Sequence, residues 1–419
     1  PWVLVLLYEK NHVDREAERM EQLNEKTVLD YVQQTDLRKT ILGEGELQAE
    51  LIAEGNVNLI FRIYNIHNGR SVILKQALPY AWRYPDFKMP VDRQRIEYET
   101  LSIESQYAAD NVPKIYFYDN QAHVLVIEDL KELKVMREAL IEGKIFPKVA
   151  EHIGKFMAKT LFYTCDLYLP SQKKKEMVIN FANPVLCKVQ EDLVFTQPYM
   201  DHPNNRWSKP LTDIVKQIHQ DDKIRGEIFY FKELYMTKAQ ALIHNDLHTG
   251  SIMLDETRTK VIDPEFAFYG PMAHDIGTYL ANLVIAYAAQ EAHRTDPQTR
   301  DSYRKWIVES LEETWNVFEQ EFLQAWENNS NGEWPSDSYK ENYVRRLLKE
   351  CAGFGAAEIF RRTIGMAHVH DFWTIKDENT RAKAESIALD VAINWIRCWK
   401  DFESIQDLAG IVKQSKSLV

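Results

Sequence analysis

Near Asp129 the hydrophobic periodicity of this chain changes, and with it the kind of core that each part can build. Before that point, short apolar runs broken by turn residues read as strands: 47–53, 59–66, 71–76, 112–118 and 123–128. Asn68-Gly69 stands between the second and third runs, the dipeptide that most favours a tight hairpin because both residues tolerate positive φ. Two stretches in this part read as helices, 21–34, with Leu23, Val28, Leu29 and Val32 at helical spacing, and 93–107. After Asp129, long helical patterns dominate at 148–165, 279–293, 304–328, 342–363 and 379–403. A strand-and-turn segment, 241–267, interrupts them. A chain of 419 residues is too long for one core. The pattern predicts an α+β, bilobal fold with a small β-rich N-lobe over 20–128 and a larger α-rich C-lobe over 129–419.

Composition narrows the partners. The formal net charge of -12 and a pI near 5.6 disfavour nucleic acid and anionic membrane, since both need a surplus of Lys and Arg at the contact. The four cysteines, Cys165, Cys187, Cys351 and Cys398, form no C-x-x-C, which argues against a disulfide framework or zinc site and for a reducing compartment. The apolar opening, 2–8, is too short and wrongly flanked for a signal peptide or span. The expectation is a cytoplasmic protein without a membrane partner. Met20 is expected as the native start, with 1–19 a leader or extension.

The chemistry concentrates in His244-Asn245-Asp246-Leu-His248-Thr-Gly250-Ser251 and Asp263-Pro-Glu265. Each carboxylate follows an apolar strand-like run, and a hairpin can bring Asp246 and Asp263 to one mouth. Phosphoryl transfer needs such an arrangement: one carboxylate orients and deprotonates an acceptor hydroxyl, while others hold Mg²⁺. Asp246 is the candidate base. Asp263 and Glu265, two apart on one side of an extended segment, are the candidate metal ligands. Taken alone, a His-x-Asp is ordinarily an Asx-turn and an Asp-Pro-Glu a surface turn; their joint placement after two strands favours a site. His244 reads as a scaffold hydrogen bonder, and His248 is open between a structural role and one facing the site.

The spacing of His-x-Asp and the later Asp is similar to that in protein kinases, aminoglycoside phosphotransferases and choline kinases. The longer strings Asp246-Leu-His-Thr-Gly-Ser251 and Asp263-Pro-Glu-Phe-Ala-Phe-Tyr-Gly-Pro271 resemble the 5-methylthioribose kinases. The resemblance spans roughly 21–399 and implies a protein-kinase-like fold. It also implies that Glu265 compensates for an Asn that most relatives carry at the position of Ser251. Asn245 departs from the pattern, since many relatives carry Gly there.

On the nucleotide side, Lys75 ends an apolar strand and can reach ATP phosphates if a carboxylate fixes its stem. Glu97 is the expected partner, with Glu99 as the fallback. Glu54-Gly55-Asn56-Val57-Asn58 is weak as a phosphate loop by itself. Its similarity to a Gly-Asn-Leu-Asn loop of methylthioribose kinases carries nucleotide contact to Asn58. The strand ending at Ile127 and then Glu128-Asp129-Leu130 resembles a hinge, where main-chain groups of Glu128 and Leu130 would read adenine.

On the substrate side, Arg361 and Arg362 lie in an apolar helical stretch with Ile359, Ile364, Gly365 and Met366, and a buried guanidinium needs a partner. The resemblance implies that the pair contacts sugar hydroxyls or the transferring phosphate, beside Asp246. Trp82 is a lid candidate. The resemblance further implies ATP and Mg²⁺, transfer to the 1-hydroxyl of methylthioribose in methionine salvage, and a homodimer. The rivals are an aminoglycoside or choline kinase, which would want an acidic pocket or an aromatic cage rather than a double Arg. A catalytically dead nucleotide-binding scaffold is a further rival.

Overall fold

The computed structural model describes residues 21–52 and 57–419. The expectations for 1–19 and Met20, for Glu54-Gly55-Asn56 and for the strand end at Ala53 lie outside the described residues. The chain divides into two compact units. The first comprises the described residues up to Lys131 together with Asp263–Phe266; the second comprises Glu132–Ile262 and Ala267–Val419. The division follows Lys131 rather than Glu128, and the short segment at Asp263 groups with the first unit.

In the first unit, α1 (Thr27–Gln33) precedes β1 (Leu47–Leu51), β2 (Leu59–Asn65), β3 (Ser71–Gln76), the hairpin of β4 (Tyr80–Ala81) and β5 (Tyr84–Lys88), α2 (Arg93–Ala108), β6 (Ile115–Asp119) and β7 (Val124–Glu128). Five strands form an antiparallel sheet in the order β1-β2-β3-β7-β6. Alternation in twos builds its core: Leu59, Phe61 and Ile63 of β2 face inward with Val72, Leu74, Val124 and Val126. The first helix is shorter than its hydrophobic spacing suggested. Asn24 Oδ1 accepts the Thr27 N–H at 3.0 Å while Thr27 Oγ1 accepts the Asn24 N–H at 2.9 Å, a reciprocal cap that starts the helix there. Val28 and Val32, one turn apart, then pack on the sheet. At the Asn68-Gly69 turn, Gly69 adopts φ +70°, and Tyr64 pairs with Ser71.

In the second unit, β8 (Lys134–Val135), α3 (Met136–Glu142) and α4 (Val149–Phe162) are followed by α5 (Ser171–Asn180), α6 (Pro184–Phe195), α7 (Thr212–Gln220) and α8 (Asp222–Thr237). Then come β9 (Ala241–Ile243), β10 (Ile252–Leu254), β11 (Thr259–Val261) and β12 (Phe268–Gly270). The remaining helices are α9 (Met272–His293), α10 (Pro297–Asn329), α11 (Asp337–Thr363), α12 (His370–Trp373), α13 (Glu378–Cys398) and α14 (Ile405–Gln414). The strands make two small antiparallel sheets, β11-β10-β8 and β12-β9. The central helix α9 is buried from Met272 to Gln290, which requires helices around it. Its Gly277 permits a close crossing, because a Cβ there would stand 2.5 Å from the Cys351 carbonyl oxygen on α11. Among the described residues, no helix is long and apolar enough to cross a membrane.

One core group makes a pH test of this packing. Glu385 on α13 is fully buried, and burial pushes its carboxyl up to about 7 against the opposing pull of Ser208 and Arg381. A raised value means that the folded chain binds this proton more tightly than the unfolded one. The stability it contributes is complete below the ordinary carboxylate range and is lost as pH rises through about 7. The slope is of the order of 1.4 kcal/mol per pH unit. Thermal melts between pH 5 and 8 are expected to fall for the wild type and to flatten in Glu385→Gln; an unchanged slope in the variant would remove Glu385 as its source.

Candidate active site

The first unit gathers a buried ionic cluster. Lys75, on β3 paired opposite Leu125, places Nζ 2.5 Å from Glu97 of α2 and also against Asp263. Burial opposes the ammonium charge, but Asp263 and Glu97 outweigh it and raise its affinity for the proton. Burial raises Glu97, with Lys75 pulling the other way. Sequence reasoning put Asp263 and Glu265 on an extended segment, and the structure corrects this. Asp263 adopts φ +65°, and Pro264–Phe266 form a 3₁₀ turn. Proline's fixed φ suits the first position of such a turn, and Asp tolerates the left-handed region. The two carboxylates therefore meet different partners. Asp263 meets Lys75, whereas Glu265 Oε2 accepts from Asn58 Nδ2 at 2.8 Å and lies 3.6 Å from Arg93 Nε. Burial pushes Glu265 up to about 8 against the pull of Arg93.

Asn58 is thus tied inside the unit, since its Oδ1 also accepts from Arg93 Nε at 2.9 Å. Arg93 is fully buried and donates further to the carbonyls of Leu78 and Pro90. At the end of β7, the Asp129 carboxylate accepts from Arg62 Nε at 2.9 Å. The Glu128 N–H donates to the Lys114 carbonyl, and Leu130 is buried. Trp82 packs half-buried on the core of this unit, leaving Tyr84 and Phe87 as the exposed aromatics of its hairpin.

The second unit builds its own cluster around the turn after β9. Both oxygens of Asp275, on α9, accept backbone N–H groups, from His244 at 2.7 Å and Asn245 at 2.8 Å. The His244 ring accepts the Asp246 N–H at Nδ1, so Nε2 carries the proton and donates to the Ile262 carbonyl at 2.9 Å. Asn245 sits at φ +67°, which explains why Gly suits this position and why Asn can replace it.

Asp246 is held by the double Arg. Its Oδ1 accepts from Arg361 NH1 at 3.2 Å and Arg362 NH2 at 3.3 Å, and its Oδ2 lies 3.4 Å from His248 Nε2. Burial opposes its charge, but His248 and the two guanidiniums prevail and hold the carboxyl well below the usual range. Burial also lowers His248, so near neutrality the ring is uncharged and the guanidiniums supply the stabilising charge. Behind them, Glu358 accepts from Arg362 Nε at 2.6 Å and Arg361 NH1 at 3.2 Å. This is the partner that the buried Arg pair requires.

Glu358 and Arg93 were not singled out from the sequence. Glu358 had a legible signal, because it precedes the two arginines by three and four residues, the spacing of helical ion pairs. Arg93 had none, since its acceptors come from separate stretches of the chain. Among the described residues, no group of three or more His, Cys, Asp or Glu is arranged to hold a metal ion.

Comparison with known proteins agrees with the motifs. The choline/ethanolamine kinase family matches residues 128–369, more than half of the chain. A methylthioribose kinase of Geobacillus sp. (strain WCH70) is 36% identical over 366 residues, covering 87% of this chain and 89% of its own. Methylthioribose kinase 1 of Oryza sativa subsp. japonica is 35% identical over 405 residues, covering 91% and 93%. Among solved structures, an ethanolamine kinase of Plasmodium vivax covers 90% of this chain and 92% of its own at 15% identity, with a TM-score of 0.46. Within the group that the choline/ethanolamine kinase family describes, this chain belongs to the methylthioribose kinases.

Proposed function

We propose that the chain transfers the γ-phosphoryl group of ATP to the 1-hydroxyl of 5-methylthioribose, giving the 1-phosphate and ADP as a step of methionine salvage. The observation that carries this reading is the ionised Asp246 gripped by Arg361 and Arg362, with Glu358 behind them. Asp246 accepts a hydrogen bond from the acceptor hydroxyl, aims it, and takes its proton as the new O–P bond forms. A strongly basic carboxylate is not needed, because the transition state is loose and positioning dominates. Arg361 and Arg362 donate to sugar hydroxyls and to charge developing on the transferring group.

Lys75, fixed by Glu97, meets the α- and β-phosphates, and Asn58 meets the nucleotide beside them. Main-chain groups of Glu128 and Leu130, with Asp129 between them, meet the adenine edge. The donor set fits Mg²⁺ in part: Asp263 is a hard oxygen ligand whose side chain is 40% exposed, while Glu265 must share its oxygens with Asn58 and Arg93. Bound there, with phosphate oxygens and water completing its shell, the ion would neutralise phosphate charge. Ionised, Glu265 would bring the cluster of Lys75, Arg93, Glu97 and Asp263 to one formal negative charge, a state that a bound cation would favour. Glu265→Gln is accordingly expected to shift the Mg²⁺ activation curve to higher concentration; an unchanged curve would make Glu265 a turn residue. The enzyme is proposed to act as a cytoplasmic homodimer.

The deciding assay couples ADP release to the acceptors methylthioribose, ribose, choline and kanamycin. Methylthioribose is expected to give the highest kcat/KM. A clear preference for choline or kanamycin would replace this reading.

A further inference from the structure

One more guanidinium belongs to the cluster around Asp246. Arg137 extends from α3, and its NH2 donates to Asn282 Oδ1 at 3.3 Å. Asn282 in turn donates from Nδ2 to Glu358 Oε1 at 3.3 Å, so Arg137 joins the polar network that anchors the double Arg. On its other side, Arg137 Nε lies 3.2 Å from the fully buried Asp371 carboxylate. That contact neutralises charge but lacks hydrogen-bond alignment, since neither Nε nor the Asp371 oxygens have a hydrogen-bond partner.

Donor counting separates Arg362 from the other two arginines, and exposure then separates Arg137 from Arg361. A guanidinium carries five N–H donors. Arg362 engages all three of its nitrogens, with Glu358, Asp246 and the Ala367 carbonyl, whereas Arg361 shares NH1 between Asp246 and Glu358 and leaves Nε without a partner among the described residues but sealed from solvent. Arg137 NH1 has no acceptor among the described residues, and its side chain is the most exposed of the three, 14% against 9% and 7%. NH1 lies against Gly250, four residues beyond Asp246. A Cβ added to Gly250 would stand 2.8 Å from it and 2.9 Å from His248 Cε1, so the glycine keeps this space open.

We infer that Arg137 is a substrate-binding residue of the acceptor site, donating from NH1 to a ring hydroxyl of the sugar while Asp371 and Asn282 hold it in place. The inference rests on the acceptor being the sugar proposed above. Charge favours a neutral polyol over a further anion: Arg137, Arg361 and Arg362 are already balanced by Asp246, Glu358 and Asp371. The unmet need is for an oxygen acceptor, which a hydroxyl supplies at no cost in charge.

Steady-state kinetics of the full chain test this with 5-methylthioribose and its 2-deoxy and 3-deoxy analogues. Arg137→Ala strips Asp371 of its counter-charge and can fail to fold, so Arg137→Lys and Gly250→Ala carry the test. The first keeps the charge beside Asp371 without the planar fork, and the second displaces the end of the guanidinium together with the His248 ring, so an effect shared by both variants is the one that reports on Arg137. In both, KM for methylthioribose is expected to rise roughly 10- to 100-fold while KM for ATP stays put. One deoxy analogue should be penalised in the wild type and no further penalised in the variants, a pattern that a purely structural ion pair would not produce. Unchanged sugar KM in both variants, or a deoxy penalty that persists undiminished, overturns the inference. Wild-type preference for a different acceptor sugar would instead overturn the assigned substrate, and the same KM split on that sugar would then judge Arg137.

Discussion

Asp246→Asn is expected to lower kcat by roughly 10²- to 10⁴-fold while leaving ATP binding nearly intact. The substitution keeps the size of the side chain and one acceptor oxygen, but removes the carboxylate proposed to take the proton. Nucleotide affinity is the internal control, since Lys75, Glu97 and Asp263 belong to a separate cluster. The two guanidiniums would then face a single carboxylate, Glu358, so a measurable loss of stability should accompany the kinetic one. A depressed carboxyl contributes stability that is present above the ordinary carboxylate range and is lost only as pH falls through its folded value, well below 3.8. Asp246 therefore stays ionised across the neutral range, and any limb of the pH–rate profile near pH 6 to 8 belongs to another group. Turnover of Asp246→Asn within about tenfold of the wild type, about 1.4 kcal/mol of barrier, would remove Asp246 from the chemistry.

Arg361→Ala and Arg362→Ala should each cost about 2–4 kcal/mol of transition-state stabilisation, roughly 30- to 1000-fold in kcat/KM. On the proposed roles, removing either leaves substrate oxygens and the Asp246 carboxylate short of a donor. The structure also separates the two variants. Arg362 donates to the Ala367 carbonyl at 3.3 Å as well as to Glu358 and Asp246, so its loss also loosens the turn after α11 and should lower the melting temperature further. Breaking a buried pair costs about 3–5 kcal/mol, a large share of the usual 5–15 kcal/mol of total stability. Activities must therefore be compared well below each variant's melting point. Lys at either position should recover little, because it lacks the fork that reaches Asp246 and Glu358 together. Near-normal kinetics in both Ala variants, with ATP affinity unmoved, would contradict the sugar-kinase reading.

Much of this molecule is legible from local pattern. The strands of the first unit and the long helices of the second follow periods of two and of three to four, because burying one face of a regular element imposes that spacing whatever the partner is. The helices between Ser171 and Thr237 escaped notice because they are short or only partly buried, and exposure dilutes the apolar stripe. The reciprocal cap of Asn24 with Thr27 is equally local, yet it shortened a helix that hydrophobic spacing alone had extended to residue 21.

The chemical residues divide in the same way. Residue type and spacing are enough for the inventory: Lys75, Glu97, Asp246, Asp263, Glu265, Arg361 and Arg362 stand at intervals that phosphoryl transfer can use, and the motif strings carried the family. Which charges meet is a matter of packing. The folded chain sets Asp263 on Lys75 but Glu265 on Asn58 and Arg93, because a left-handed residue and a proline-started turn send neighbouring carboxylates in different directions. It also brings Arg137, Asn282 and Glu358 to the double Arg from three separate helices. Desolvation makes those pairings obligatory, since a buried charge must find a counter-charge, but the partner can come from anywhere along the chain that packing brings near.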